Sequence, residues 1–305
     1  MSQIRNWFFK KSRTKSEEMD LYWSGRTDVG RVRTHNEDAY VALGGQDCPP
    51  SVDGLAVVAD GMGGHAAGEV ASQMAVEAVV RFINIEISKS DHMTEQDFSR
   101  FLGRVVEQVN REVWEAGQVH DKKGMGTTCT VAVVRGDKLF LSHVGDSRAY
   151  MLRDRQLHQM TTDHSWVEEA VQEGILTRDQ ARTHPNRNVI TRAIGLEPKV
   201  TVDNYMVSVS AGDILLLCSD GLNSMVTDEE IQEILLNTEP ELAPEALVAA
   251  VNNYGGHDNT TAVVASLGDK TGHLHSSGRS SSDRSLQDTV SVLPWWERII
   301  KALRR

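Results

Sequence analysis

Short apolar runs punctuate this chain. Leu55-Ala56-Val57-Val58-Ala59, Leu139-Phe140-Leu141 leading on to Val144, Ile214-Leu215-Leu216-Leu217-Cys218 and Thr260-Thr261-Ala262-Val263-Val264-Ala265 are brief and aliphatic. That is the pattern of buried strands. Between them, apolar positions recur at helical spacing. Val70, Met74, Val76, Ala78, Val79 and Phe82 can share one face and predict a helix over residues 68–85. A second helix is predicted over residues 95–117 and a shorter one over residues 228–236. Thr227 before Asp228, Glu229 and Glu230 provides an N-cap and an acidic first turn for the last of these. Trp166, Val167, Ala170 and Val171 also have helical spacing, and a basic, polar stretch from Arg178 to Arg192 follows. Strands alternating with helices predict one α/β domain over residues 21–268. A basic, aromatic-containing leader, residues 1–20, precedes it. A Ser-rich linker, residues 269–293, and a short amphipathic segment, residues 294–305, follow. No internal repeat is visible.

The polar residues that interrupt this pattern are as informative as the apolar ones. Five acidic motifs occur in order: Arg33-Thr34-His35-Asn36-Glu37-Asp38, Asp60-Gly61-Met62-Gly63-Gly64, Gly145-Asp146-Ser147-Arg148, Ser219-Asp220-Gly221 and Gly256-His257-Asp258-Asn259. The first lies in a polar loop before a strand. The second, third and fourth end apolar runs, and the fifth directly precedes one. Any single Asp-Gly reads as a hairpin turn. Turns, however, do not require strands to deliver carboxylates at four separate places. Acids far apart in sequence that converge at strand ends are what a hard divalent cation needs, because Mg²⁺ and Mn²⁺ take oxygen ligands and retain several waters.

Bulk properties narrow the field further. At 305 residues and 40% hydrophobic content the chain can bury a sizeable core. Its net charge is −11, yet residues 1–16 carry five basic and no acidic side chains, and residues 269–305 seven basic against four acidic. The stretch between is therefore more acidic still, at −19, which argues against a nucleic-acid binder. Cys48, Cys129 and Cys218 are odd in number and unclustered, the usage of a reducing, cytoplasmic compartment. No stretch is apolar for long enough to span a bilayer, and the leader lacks the uninterrupted apolar segment of a secretory signal.

With Gly126-Thr127-Thr128, Thr162-Asp163-His164-Ser165 and the stretch from His184-Pro185-Asn186 to Thr191-Arg192-Ala193-Ile194-Gly195, the ordered motifs over residues 22–267 resemble the metal-dependent protein serine/threonine phosphatases of the PPM (PP2C-like) family, bacterial type. The resemblance implies a PP2C-like four-layer α-β-β-α sandwich, with two central antiparallel sheets and metals in a cleft at one edge. It implies two Mn²⁺ or Mg²⁺ ions, with Asp60 bridging them and the Gly61 carbonyl completing one site. Asp220 and Asp258 would hold the other ion, and Glu37 would bind it directly or through its water. Asp38 would orient a ligand without itself binding. Asp146 with Asp220 would form a third, weaker site, as in bacterial relatives; alternatively, the Gly-Asp-Ser-Arg turn is purely structural. Arg33, the cation at the mouth of the cluster, suits bidentate phosphate recognition, against the alternative of an ordinary surface arginine. Residues 165–192 would form a flap. Two paired metals lower the pKa of a shared water and clamp the oxygens of an in-line displacement.

One departure matters. Many eukaryotic members carry His after the Asp-Gly pair, whereas this chain has Met62, which cannot protonate a leaving alkoxide. Water is the expected donor in its place, with His65 the nearest alternative in sequence.

The implied function is dephosphorylation of phosphoserine and phosphothreonine proteins, opposing a Ser/Thr kinase. The rivals are a non-catalytic phosphoprotein-binding scaffold, a hydrolase of small phosphorylated metabolites, and a membrane-tethered adaptor. Trp295, Trp296, Ile299, Ile300 and Leu303 recur at helical spacing opposite Arg298, Lys301, Arg304 and Arg305. The leader pairs Ile4, Trp7 and Phe8 with Lys10 and Lys11. Both segments suit an anionic membrane surface or a docking partner.

Overall fold

Side-chain parity along the strands builds the architecture. The computed structural model describes residues 20–49, 51–63, 67–87, 93–118 and 122–268. The leader apart from Asp20, the Ser-rich linker and the terminal amphipathic segment fall outside these residues. So does His65.

In chain order the elements are β1 (Asp20–Asp28), β2 (Asp38–Gly44), β3 (Gly54–Met62), α1 (Ala67–Ile87), α2 (Glu95–Ala116), β4 (Gly126–Thr127), β5 (Cys129–Arg135), β6 (Lys138–Val144), β7 (Arg148–Arg153) and β8 (Gln156–Gln159). Then come α3 (Trp166–Gln172), α4 (Arg178–Thr183), β9 (Asp203–Ser208), β10 (Ile214–Cys218), α5 (Asp220–Asn223), α6 (Asp228–Asn237), α7 (Ala243–Asn253) and β11 (Thr260–Gly268). One sheet has the order β1-β11-β10-β7-β8. The other runs β2-β3-β5-β6-β9, with β4 paired to the end of β3. All pairings in both are antiparallel.

Alternation then sorts each strand between two cores. Ala56 and Val58 of β3, Leu139 and Leu141 of β6, Leu215 and Leu217 of β10, and Val263 and Ala265 of β11 pack in one cluster between the sheets. Their neighbours Leu55, Val57 and Ala59 face the other way, against α1 and α2. Leu216, Cys218, Ala262 and Val264 likewise turn outward, onto α5, α6 and α7. Helix, sheet, sheet, helix is the four-layer sandwich that the resemblance implied. Cys129 and Cys218 are buried and all three cysteines are free. Among the described residues no helix is long and apolar enough to cross a membrane.

Asp213 lies just before β10, where its carboxylate accepts from Arg153 and from the Ser210 N–H and so shapes the turn before the strand. Asp60 is not in a turn at all: β3 runs on through it, and Gly61 and Met62 pair with Thr127 and Gly126. The segment between β8 and β9 folds as α3 and α4, closed at its base by bridges between Ser165 and Ile190 and between Thr127 and Ile194. Inside it the Trp166 and His184 rings stack with centroids 4.8 Å apart.

Candidate active site

Antiparallel order brings the C-terminal ends of β3, β6 and β10 and the N-terminal ends of β2, β7 and β11 to the same end of the sandwich. The acidic motifs attach there. Asp38 and Asp60 are direct cross-strand partners and therefore share a face. That face continues Tyr40, Ala42, Ala56 and Val58, the lining between the sheets. Two carboxylates thus occupy the positions where the inter-sheet core reaches its open end.

The facing sheet meets them with hydroxyls. Ser219 Oγ and Thr261 Oγ1 each donate to Asp38 Oδ2 at 2.7 Å. Asp38 Oδ1 is buried with no partner. Burial, opposed by those two hydrogen bonds but reinforced by Asp220 and Asp258, pushes the Asp38 carboxyl up to about 7. Asp60 lies well above the usual carboxylate range through burial and then the charges of Asp38, Asp220 and Asp146. Asp220, whose side chain interacts with that of Asp60, is likewise raised by burial and by Asp258. Asp146, at the β6–β7 turn, is raised by burial and by Asp220, and its Oδ1 is a second buried oxygen without a partner.

At the outer side, Arg33 Nη2 donates to Asp258 Oδ2 at 2.8 Å, with side-chain exposures of 50% and 32%. Burial works against the arginine's charge, but Asp258, Glu37 and Asp60 together raise its pKa. Glu37 is raised by burial and by Asp258, against the pull of Arg33. The structure therefore brings together Asp60, Asp220, Asp38, Asp258, Glu37 and Arg33, with Asp146 joining through Asp220 and Asp60. Among the described residues no three acids, histidines or cysteines close into a ready-made metal cage. The carboxylates instead confront one another pairwise in low dielectric, an arrangement that requires either protons or cations. An all-oxygen set with unpartnered buried carboxylate oxygens fits hard divalent cations.

Neutral residues hold the acids, and the motif reading gave them no part. Thr128 Oγ1 accepts from the Asp60 N–H at 2.8 Å and lies 2.7 Å from Ser147 Oγ, which ties the Asp60 strand to the Asp146 turn. Asn259 Oδ1 accepts from the Glu37 N–H at 2.8 Å, while its amide donates to the carbonyls of His35 and Val29. One side chain thereby clamps the whole Arg33–Glu37 loop to the start of β11. Ser219, Thr128 and Asn259 each adjoin a motif acid or belong to a quoted motif, and Thr261 stands at the start of an apolar run, the only signals that pointed to them. Gly61 donates its N–H to the Glu37 carbonyl at 3.0 Å, and a Cβ on it would strike the carbonyls of Gly68 and Glu37. Met62 follows as a partly buried thioether.

Known proteins share this fold. A model of the family described as protein phosphatase 2C matches residues 31–253. The serine/threonine phosphatase stp of Listeria monocytogenes is 40% identical over 243 residues, covering 78% of this chain and 93% of its own. Protein phosphatase PhpP of Streptococcus pneumoniae is 38% identical over 250 residues, covering 80% and 96%. The catalytic domain of the serine threonine protein phosphatase PstP, solved in complex with two manganese ions, superposes with a TM-score of 0.70 at 36% identity, over 82% of this chain and 100% of that one. The sequence and the fold are thus shared with these relatives across most of the chain's length, and the chain belongs to the protein phosphatase 2C family as a bacterial-type protein serine/threonine phosphatase.

Proposed function

We propose that the chain hydrolyses phosphoserine and phosphothreonine in proteins with the aid of two divalent cations, Mn²⁺ or Mg²⁺, and opposes a Ser/Thr kinase. The observation that carries the reading is the set of buried, mutually repelling carboxylates at the open end of the inter-sheet core, two of whose oxygens, on Asp38 and Asp146, have no partner. The manganese ions of the PstP structure support it. Asp60 and Asp220, in mutual contact, would hold the paired ions with Asp258, Glu37 and the Gly61 carbonyl. Asp146 with Asp220 would hold a third. Bound cations supply Lewis acidity and a water acidic enough to deprotonate near neutral pH.

The chain's own residues do the rest. Asp38, fixed by two hydroxyls, orients its strand partner Asp60. Asn259 holds the loop that carries Glu37 and Arg33. The Arg33 guanidinium, half exposed and facing the acids, is placed to take a phosphoryl oxygen pair as Asp258 turns to a cation. Met62 offers no proton, so the leaving alkoxide takes one from water.

Asp60→Asn tests the reading. With Mn²⁺ and p-nitrophenyl phosphate, turnover should fall on the order of a thousandfold or more while circular dichroism stays unchanged. Chelator should silence the unmutated protein. Full activity in chelator would remove the mechanism.

A further inference from the structure

His164 stands just before Ser165, the N-cap of α3, and is 5% exposed, yet no step above uses it. Its backbone N–H donates to the Gly145 carbonyl at 2.7 Å, and its carbonyl accepts from the Thr191 N–H at 2.9 Å at the far end of the same segment. Its ring turns back on Gly145: Nδ1 accepts the Gly145 N–H at 2.9 Å. The ring proton must then sit on Nε2, which lies 3.3 Å from Asp203 Oδ2. Arg192 Nη1, 2.9 Å from Nε2, donates to Asp203 Oδ1 at 2.7 Å. Through backbone and ring together, one residue therefore joins both roots of the residue 165–192 flap, the start of β9 and the turn that carries Asp146.

Gly145 has little freedom to sit elsewhere. Its φ is +117°, and a Cβ there would meet Thr128, so both its conformation and its packing exclude other residues. The far side of the turn is bound as well, since Ser147 reaches Thr128 and Thr128 takes the Asp60 N–H. A continuous path runs from the flap through His164, Gly145-Asp146-Ser147 and Thr128 to Asp60.

We propose that His164 is a positioning residue: it fixes the Gly145-Asp146-Ser147 turn against the base of the flap and thereby sets how tightly the third cation is held by Asp146 and Asp220. The inference rests on the metal reading above. Two isosteric variants separate the ring's two bonds. His164→Asn places an amide oxygen where Nδ1 was and keeps an acceptor for Gly145. His164→Gln reaches toward Asp203 but leaves the buried Gly145 N–H without a partner. In calorimetric Mn²⁺ titrations of the full chain, His164→Gln should weaken the weakest binding event about tenfold, the effect of one lost buried hydrogen bond. His164→Asn should stay within about threefold of the unmutated protein. Equal weakening by both variants, or by neither, overturns the proposal. Amide hydrogen exchange of the unmutated chain gives a readout that needs no variant: saturating Mn²⁺ should slow exchange at Gly145 and His164 together. A Gly145 amide indifferent to Mn²⁺ also overturns it. If the unmutated protein hydrolyses p-nitrophenyl phosphate with Mn²⁺ while these signatures fail, His164 alone loses its role; an inert unmutated protein removes the metal reading instead.

Discussion

Asp38 carries a buried carboxylate whose Oδ2 takes two hydroxyl hydrogen bonds and whose Oδ1 takes none. Asp38→Asn keeps the shape, and both hydroxyls retain an acceptor, but one negative charge leaves the cluster. In chelator the variant should melt at a higher temperature than the unmutated protein, because a buried like-charge neighbour of Asp60 is gone. With Mn²⁺ it should bind metal or turn over roughly 10- to 100-fold less well, as supporting partners of metal ligands usually do. Unchanged Mn²⁺ affinity and rate would show that Asp38 only fills space. The acids themselves were legible because they stand at the margins of apolar runs, Asp60, Asp146 and Asp220 directly beside a glycine. Asn259, Ser219 and Thr128 were not given roles, since nothing about a hydroxyl or amide in sequence says which acid it will face. Parity does say so once the strands are paired: Ser219 and Thr261 continue the faces of Leu217 and Val263, and so must look toward Asp38.

Elements came through unevenly, and packing explains the difference. The helices α1, α2 and α6 depart from their expected bounds by one or two residues, because each buries a continuous apolar face and two begin at a threonine N-cap. β1 and β9 were not distinguished. Both lie at sheet edges, and their inward residues, Leu21 and Trp23 in one and Tyr205 and Val207 in the other, are diluted by polar or exposed neighbours. α7 was not distinguished either; it starts with Pro244 in its first turn and without a side-chain cap. β3 and α1 approach one another closely at Gly61, where the Gly68 carbonyl sits against the glycine's missing Cβ. Gly61→Ala must push two backbones apart, which costs about 2–3 kcal/mol, because no flexible side chain is available to yield. Urea unfolding in chelator should show that loss, and activity should drop with it as Asp60 shifts. An alanine variant as stable as the unmutated protein would mean that β3 and α1 leave room for a methyl group at Gly61.

At the scale of the whole molecule, the stretch between the basic tails carries −19, and part of that charge is forced together at one end of the sandwich. The consequence is a pH dependence whose sign depends on metal. Burial raises Asp60, Asp146 and Asp220 above their ordinary 3.8, and raises Asp38 to about 7. Without metal, the folded state therefore holds protons that the unfolded chain has already released, and each such group contributes a fall of up to about 1.4 kcal/mol per pH unit as pH rises from about 4 through its folded value. His143 acts in the opposite sense. Burial, with His164 adding to it, lowers it from 6.5 to about 3, so its contribution is complete above pH 6.5 and is lost as pH falls below that. Several carboxyls outweigh one imidazole, and the chelated protein should lose thermal stability between pH 5 and about 7. Saturating Mn²⁺ replaces the protons, removes the carboxyl contribution and leaves the His143 slope, so the same scan should then rise with pH up to about 6.5 and flatten. Melting temperatures recorded across pH 5–8 with chelator and with Mn²⁺ would check this. Two parallel profiles would mean that the buried acids neither hold the extra protons nor exchange them for cations.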